Sequence, residues 1–299
     1  MVIGDERYIP IQANGKSYNV WTQKLGENPD LKVLLVHGGP GASHLCFKII
    51  EEYFPEGEFE FYYYDQLGSY KSDQPDDLSL WTIERFVDEV EQVRIALGLN
   101  KDNFILLGQS WGGMLAMEYA LKYQDNLKGL VIDSMQASIK DYMIYARDVL
   151  APQLKPESVK RIMELEASGD YENEEYMALL YPYYEKFVLG MPMNDLPEAI
   201  SGFIANLNHQ VYGYMNGPSE FTCVGTLKDW DVKDQLKEIK VPTLVIGSTN
   251  NTMDPEQMKW MASEMQNGEY LHCEGSHSTM WNTPETYFAG LKDFLLKIK

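Results

Sequence analysis

"NFILLGQSWGGMLAMEYALKY" (residues 103–123) joins an apolar run to a helix-forming run through the pattern G-x-S-x-G. A strand, a sharp turn and a helix in this order are the context in which that pattern forms a nucleophile elbow. Glycines at both ends of the pattern allow the sharp turn that lifts the central serine above the sheet. The stretch therefore predicts that Ser110 is a nucleophile at the carboxyl end of a buried strand.

Four more short runs, rich in apolar, β-branched or aromatic residues, lie on either side of this stretch. They are KVLLVHGG (32–39), FEFYYYDQLG (59–68), GLVIDSM (129–135) and VPTLVIGS (241–248). Continuous runs of this kind predict fully buried strands of a largely parallel sheet. Residues 82–98 repeat apolar side chains at helical spacing and end at a glycine. The alternation predicts an α/β fold with a mostly parallel sheet and helices on both faces.

The pattern changes after residue 137, where a helical stretch rich in Tyr, Met and Glu begins. Strand character returns only at residue 241. An insertion that interrupts a sheet in this way predicts a cap over the carboxyl ends of the strands, where ligands of open α/β sheets bind. We expect an α/β-hydrolase fold with a core of residues 1–137 and 226–299 and an inserted helical cap of residues 138–225.

The composition limits the classes of partner. The chain has 299 residues and a formal net charge of −20, and such an acidic surface repels nucleic acids and anionic membranes. No apolar run approaches the roughly 20 residues that span a bilayer, and we expect no leader segment at the amino terminus. The three cysteines are far apart and form no C-x-x-C pair, which favours a reducing compartment. We therefore expect a cytoplasmic protein.

Two further segments complete a serine-hydrolase site. HGGPG (37–41) follows an early strand and supplies a glycine-rich backbone where an oxyanion needs donors. We assign the oxyanion to the backbone amides of Gly39 and Trp111. The base is expected near the carboxyl end, because hydrolases of this fold carry serine, acid and histidine in that order. His277, in the loop EGSHSTMW (274–281), is the histidine in that place.

Seven segments spread along the chain carry a resemblance to one family. They are HGGPGASH, YYYDQLGSYKSDQPDD, LWTIERFVDEVEQVR, GQSWGGMLAMEYALKYQDNLKGLV, NGPSEF, TMDPEQMKWMA and GSHSTMW. In these segments the chain resembles the proline iminopeptidase family of α/β-hydrolases, including the tricorn-interacting aminopeptidases, over nearly its full length. The resemblance implies release of an amino-terminal residue, typically proline, through an acyl-enzyme on Ser110.

The resemblance also implies how the substrate is recognised. In such enzymes glutamates near the cap bind the ammonium group of the substrate, and Glu220 in NGPSEF matches one of these positions. A carboxylate placed there would select peptides with a free amino terminus. A second acidic position, found in the tricorn-interacting relatives directly after the catalytic acid, matches Thr252 here.

The position of the triad acid departs from the family pattern. Related sequences commonly read G-x-x-x-D-T-M-D-P, and Asn251 in GSTNNTMDP (247–255) stands at the acid position. In serine proteases the same exchange lowers turnover by about 10⁴-fold. Three alternatives stay open: an acid relocated to Asp133 at the end of the strand GLVID, an acid supplied by Asp254, or an impaired site.

Several functions fit this combination of residues. The first is a serine aminopeptidase or iminopeptidase that acts on small peptides or aminoacyl amides with a free amino terminus. The second keeps the site and changes the acyl group, as an amino-acid amidase, a small esterase or a lactonase. The third is a pseudoenzyme that binds ligands on a hydrolase fold. We expect no metal and no cofactor, because the sequence has no H-E-x-x-H, no Cys/His cluster and no phosphate-binding glycine pattern.

Overall fold

A computed structural model describes residues 3–54 and 58–299. Its centre is an eight-stranded sheet with the strand order β1-β2-β4-β3-β5-β6-β7-β8. The strands from β4 to β8 along this order pair in parallel, and the two that begin the chain pair antiparallel. The strands are β1 (Ile3–Ala13), β2 (Lys16–Leu25), β3 (Lys32–Val36), β4 (Glu60–Tyr64), β5 (Phe104–Gln109), β6 (Gly129–Asp133), β7 (Thr243–Asn250) and β8 (Gly268–Ser276). The predicted fold class is confirmed.

The hairpin of β1 and β2 lies at one edge of the sheet and was not among the predicted strands. Asn14 and Gly15 connect the two strands with positive φ angles of 49° and 73°, as a two-residue hairpin turn requires. Along β1 buried and exposed residues alternate towards the turn, whereas β4, β5 and β6 are buried throughout. The hairpin forms one edge of the sheet and is partly exposed to solvent, whereas the central strands are covered on both faces.

Helices cover the sheet on both faces. The α-helices of the described residues are α1 (Ile50–Tyr53), α2 (Ile83–Ala96), α3 (Trp111–Tyr123), α4 (Ile139–Tyr145), α5 (Pro156–Ser168), α6 (Glu174–Tyr183), α7 (Glu198–Ala205), α8 (His209–Met215), α9 (Pro255–Glu264), α10 (Thr279–Asn282) and α11 (Pro284–Lys297). Helices α2, α3 and α9 pack with one face of the sheet, and α1 and α11 pack with the other. None of these helices is long and apolar enough to cross a lipid bilayer.

Short turns of other helix types link these elements. Single 3₁₀ segments span His44–Phe47, Leu78–Leu80, Gln124–Asn126, Ala151–Gln153, Met193–Asp195 and Lys233–Glu238, and π segments span Ala146–Leu150 and Tyr184–Leu189. The second π segment directly continues α6, and it ends at Gly190 with a φ of 68°. A side chain at Gly190 would lie against the amide of Asn282, so the glycine allows this turn to approach the end of α10.

Helices α4 to α8 lie between β6 and β7 and form the inserted segment. Twelve buried residues of this segment, from Leu150 to Phe221, make a hydrophobic cluster separate from the two clusters of the sheet. This cluster allows α5 to α7 to pack as a layer of their own, whereas α4 and α8 pack into the cluster on one face of the sheet. The boundaries of the cap at residues 138 and 225 stay a prediction.

Candidate active site

The nucleophile elbow is built by backbone contacts. Ser110 stands between β5 and α3 with φ 57° and ψ −123°, a strained conformation typical of functional positions. A Cβ atom on Gly108 would lie 1.9 Å from the carbonyl oxygen of Gly112, and one on Gly112 would lie 1.9 Å from that of Val36. Only glycine fits at both positions, so strand and helix approach closely enough to hold Ser110 in this turn.

The oxyanion loop is tied to the elbow through one glutamine. The Nε2 amide of Gln66 donates to the carbonyl oxygen of His37 at 3.0 Å, and its Oε1 accepts from the indole of Trp111 at 2.8 Å. Burial lowers the pKa of His37 to about 4, so this ring is neutral near pH 7 and serves as a structural support. Gly39 has a φ of 111° and lines the same cavity as Ser110.

A cavity of about 460 Å³ lies between the carboxyl ends of the strands and the cap. Ser110, His277, Gly39 and Glu220 all line it. The remaining wall is mostly apolar and comes largely from the cap, including Met177, Tyr181, Val188, Leu189, Met193, Ile200, Phe203, Ile204 and Leu207. The arrangement gives an apolar chamber with a few polar groups at its base, as small-molecule sites usually have.

His277 is held by the cap as well as by the core. It follows β8, and its backbone amide donates to the carbonyl oxygen of Phe187 at 2.9 Å. The next amide, of Ser278, donates to Val188 at the same distance. Burial lowers the pKa of the imidazole to about 4, so His277 is neutral near pH 7 and can accept a proton.

Two neutral groups contact the imidazole at Nδ1. The side-chain oxygen of Asn251 lies 3.0 Å from this nitrogen, and the hydroxyl of Thr252 lies 2.9 Å from it. The predicted acid position therefore contacts the base as a triad acid does, although it carries no charge. A base flanked only by neutral groups receives less stabilisation of its protonated form.

The amide of Asn251 is oriented by its other neighbours. Its oxygen accepts from the backbone amide of Met253 at 3.1 Å, and its nitrogen donates to the hydroxyls of Ser134 and Ser248, each at 3.0 Å. A backbone amide can only donate, so the oxygen must face Met253 and His277. The imidazole proton then stays on Nδ1, and Nε2 is left free to act as a base.

The structure does not bring the other two candidate acids into contact with His277. The fully buried carboxylate of Asp133 accepts hydrogen bonds from the hydroxyls of Ser134 at 2.9 Å and Tyr287 at 3.0 Å. Burial raises the pKa of Asp133 to about 7. Asp254 caps α9 by accepting from the backbone amide of Glu256 at 2.9 Å. No direct contact therefore supports relocation of the acid to either residue, because Nδ1 of His277 contacts Asn251 and Thr252 instead.

Glu220 enters the cavity from the cap among tyrosine side chains. The hydroxyl of Tyr212 donates to its carboxylate at 2.6 Å, and those of Tyr142 and Tyr183 donate to its backbone oxygen. Burial raises the pKa of this carboxyl, while the bond from Tyr212 lowers it. No Lys or Arg of residues 3–54 and 58–299 forms an ion pair with Glu220. The carboxylate therefore has no positively charged partner among these residues. A cationic ligand could supply one.

Comparison with known proteins supports the fold and identifies the family. A family model described as alpha/beta hydrolase fold matches residues 32–276. A proline iminopeptidase from Flavobacterium johnsoniae is 49% identical over 96% of this chain and 97% of its own. The proline iminopeptidase from Elizabethkingia meningoseptica is 47% identical, again over 96% and 97%. The chain belongs to the proline iminopeptidase family of α/β-hydrolases. The resemblance predicted from the sequence is confirmed.

A solved structure of the same family has the same architecture. The proline iminopeptidase from Mycobacterium smegmatis superposes with a TM-score of 0.86 at 29% identity and covers 98% of each chain. Within this family framework, Thr252 is fully buried and contacts the base. At the position where the resemblance implies a second acidic residue in the tricorn-interacting relatives, this chain has a neutral hydroxyl that faces the base.

Sequence reasoning missed the side chains that hold Asn251 and Glu220 in position through hydrogen bonds. Ser134 and Ser248 fix the amide of Asn251, and Tyr212 holds Glu220. The two serines lie at the carboxyl ends of the adjacent parallel strands β6 and β7, so adjacency of strand ends was the signal that could have found them. Tyr212 comes from a cap helix, and no pattern in the sequence links it to Glu220.

Proposed function

We propose that this chain is a serine hydrolase that releases an amino-terminal residue, in the first place proline, from short peptides or aminoacyl amides. The names of the family members support proline as the released residue. The apolar chamber beside Ser110 supports it as well, because the prolyl ring is apolar and compact. The three cysteines are free and buried, which supports a place in the reducing cytoplasm.

The observation that carries the proposal is the position of Glu220. Its carboxylate shares one cavity with Ser110 and His277 and has no cationic partner among the described residues. A substrate ammonium would supply that partner and would favour the charged form of a carboxyl whose pKa burial has raised. A blocked amino terminus would leave the carboxylate unpaired, so recognition of a free amine follows from the cost of burying a lone charge.

In the proposed reaction Ser110 attacks the scissile carbonyl while Nε2 of His277 takes the hydroxyl proton. The new C–O bond places negative charge on the carbonyl oxygen, which the backbone amides of Gly39 and Trp111 stabilise. His277 then gives the proton to the leaving amine as the C–N bond breaks. The same imidazole then takes a proton from a water molecule, which attacks the acyl carbonyl. The bond to Ser110 Oγ breaks, His277 returns the proton to that oxygen, and the free amino acid is released.

Asn251 favours a second candidate, a binding protein on a hydrolase fold. An amide oxygen orients the imidazole but cannot stabilise the imidazolium by charge. A chain with this exchange could keep the substrate cavity and lose most of its turnover. The two candidates differ in the reactivity of Ser110, since a serine without a working base does not react with a fluorophosphonate.

The test is a panel of prolyl, alanyl and N-acetylprolyl arylamides, combined with fluorophosphonate labelling. We expect labelling at Ser110, fastest hydrolysis of the prolyl arylamide and no hydrolysis of the acetylated one. Hydrolysis of N-acetylprolyl arylamide at the rate of the free one would contradict amine recognition and favour an amidase or esterase. Unlabelled Ser110 in folded protein would establish the binding-protein candidate.

The variant Glu220→Gln tests the amine contact directly. It keeps the size of the side chain and the hydrogen bond with Tyr212, and it removes the charge. We expect kcat/KM for prolyl arylamide to fall by about 10²-fold, because the substrate ammonium is left unpaired. Tyr212→Phe is the matched control, since it removes the phenol and keeps the carboxylate, and its loss is expected to be less than about tenfold.

A further inference from the structure

A chain of hydrogen bonds leads away from the imidazole and ends at a carboxylate. Nδ1 of His277 donates to the oxygen of Asn251 at 3.0 Å, and the nitrogen of Asn251 donates to Ser134 Oγ at 3.0 Å. Ser134 Oγ donates in turn to Oδ1 of Asp133 at 2.9 Å. Every donor in this chain points towards Asp133. Asn251, Ser134 and Asp133 are fully buried.

We propose that Asp133 is a positioning residue that supplies, through Ser134 and Asn251, the negative charge that the triad lacks at residue 251. The inference rests on the proposed function, because it concerns the base of that reaction. Asp133 does not touch the substrate or the imidazole. It acts on the protonated imidazole through the chain, in which Asn251 and Ser134 carry the polarisation.

While Asp133 is ionised, the direction of each hydrogen bond in this series is fixed. Ser134 has one hydroxyl proton, which it gives to Asp133, so its oxygen can only accept from Asn251. When His277 becomes charged, its Nδ1–H bond to Asn251 strengthens, and the next two bonds strengthen with it. In a fully buried site such polarisation is not screened by water, so a carboxylate at the end of the chain still stabilises the imidazolium.

A second branch from Asn251 provides an internal comparison. The nitrogen of Asn251 also donates to Ser248 Oγ at 3.0 Å, and Ser248 donates to the backbone oxygen of Ser276 at 2.7 Å. This branch has the same chemistry at its first link and ends at a neutral carbonyl. The two branches therefore differ in the charge at their ends, and Ser134 and Ser248 form a matched pair for mutation.

The charge on Asp133 depends on pH in the range where an enzyme works. Burial raises its pKa to about 7, and the hydrogen bonds from Ser134 and Tyr287 lower it. The other titratable groups that face it are the thiols of Cys46 and Cys273, which burial keeps protonated. The pKa of His277 is lowered to about 4. We therefore expect activity to fall as the pH drops through about 7, well above the pKa of the base.

A double-mutant cycle tests the chain. Asp133→Asn is made in the natural sequence and in the Asn251→Asp variant, and kcat is measured on prolyl arylamide. We expect Asp133→Asn to lower kcat about 10- to 100-fold in the natural sequence and less than about threefold in the Asn251→Asp background, where the triad has its own charge. Equal losses in both backgrounds would show that Asp133 is only structural and would overturn the proposal. Peptide mass analysis confirms that Asn251 has not deamidated in the natural sequence.

The pH profile gives an independent readout. Ser134→Ala breaks the chain, and we expect it to remove the fall in kcat/KM near pH 7. Ser248→Ala leaves the chain intact, and the midpoint is expected to stay where it is. Tyr287→Phe removes a bond that lowers the pKa of Asp133, so the midpoint is expected to move to higher pH. These variants also cover the case in which Asp133→Asn fails to fold. A midpoint unchanged in both Ser134→Ala and Tyr287→Phe would overturn the proposal.

Nuclear magnetic resonance of His277 separates this inference from the proposed function. We expect the Nδ1 proton signal to shift as the pH passes through 7 in the natural sequence, and to stay constant in Asp133→Asn. The signal does not depend on turnover, so it reports the chain even if no prolyl arylamide is cleaved. If no arylamide is cleaved but the signal titrates, the proposed function is rejected and the hydrogen-bond path to Asp133 is supported. A signal that is constant in both proteins would reject the hydrogen-bond path to Asp133 and leave the proposed function untouched.

Discussion

The nucleophile side and the acid side of the cavity are held by different forces. On the nucleophile side, backbone packing against Gly108 and Gly112 holds Ser110 in its strained turn. On the acid side, side chains from separate segments hold His277 and Asn251 through hydrogen bonds. Backbone packing allows very few substitutions. A side-chain network allows exchanges as long as the donors and acceptors still match.

This difference explains why the acid side departs from the family pattern and the nucleophile side does not. Replacing Asp by Asn at residue 251 keeps the shape and one acceptor oxygen, and the new amide nitrogen has two serine hydroxyls to donate to. No comparable exchange exists at Gly112, where any side chain meets a backbone oxygen. The acid side can thus lose its charge without losing its geometry.

The largest effect is expected from Gly112→Ala. The added Cβ would lie 1.9 Å from the carbonyl oxygen of Val36, and neither backbone segment can move without separating β3 from α3. We expect a loss of more than about 4 kcal/mol in the free energy of unfolding, or no folded protein at all. Chemical denaturation measures the stability, and fluorophosphonate labelling measures whether Ser110 is still presented.

Gly213→Ala in α8 is the matched control for that change. No heavy atom lies within 4 Å of a Cβ built there, and alanine favours the helix over glycine by about 1 kcal/mol. We expect this variant to be as stable as the natural sequence or slightly more stable. A similar loss at both glycines would show that backbone packing at the elbow is not what Gly112 provides.

The same difference limits what the sequence can predict. The placement of Ser110 and His277 at one cavity was predictable, because a strand, a glycine-flanked serine and a late histidine follow one another in a fixed order along the chain. The five central strands were predictable because burial on both faces leaves continuous apolar runs. The edge hairpin was missed, since β1 and β2 mix polar and apolar residues and the Asn14-Gly15 turn was the one strong signal.

The role of Asp133 shows where sequence reasoning ends. The sequence predicted its position at the end of β6 correctly, but it did not predict where the carboxylate points. The direction of the carboxylate depends on Tyr287 in α11, more than a hundred residues later. It also depends on Ser134, whose φ of 53° is not predicted by any sequence pattern. Contacts between side chains of distant segments are set by packing, and a single sequence does not encode them as a local pattern.

A smaller effect is expected on stability as the pH changes. Between pH 4 and pH 7 an unfolded chain has lost the proton of Asp133, while the folded protein keeps it, because burial raises the pKa from 3.8 to about 7. The folded state is therefore destabilised as the pH rises through this range, by a few kcal/mol in all. In Asp133→Asn this dependence is absent, so its Tm relative to the natural sequence is expected to rise between pH 4 and pH 8.

Thermal unfolding of both proteins across this range measures the effect. Asp229→Asn, at an exposed position, serves as the control for the loss of one negative charge. A difference in Tm between Asp133→Asn and the natural sequence that stays constant from pH 4 to pH 8 would mean that Asp133 does not titrate on folding. The acid side would then owe its pH dependence to another group.

The smallest effect is expected from Thr252→Val. This variant distinguishes the contributions of the two acceptors at Nδ1 of His277. The hydroxyl of Thr252 is 2.9 Å from this nitrogen and the oxygen of Asn251 is 3.0 Å away, so distance alone does not choose between them. The amide oxygen is the better anchored acceptor, because Met253 and the two serines fix its direction.

Valine keeps the volume of Thr252 and removes its hydroxyl, so His277 retains one oriented acceptor. We expect kcat/KM to fall by less than about fivefold and its pH midpoint to stay unchanged. A loss of more than about a hundredfold would make Thr252 the main group that orients the base. The acid side would then depend on a neutral hydroxyl next to Asn251, and the path to Asp133 would carry no part of the activity.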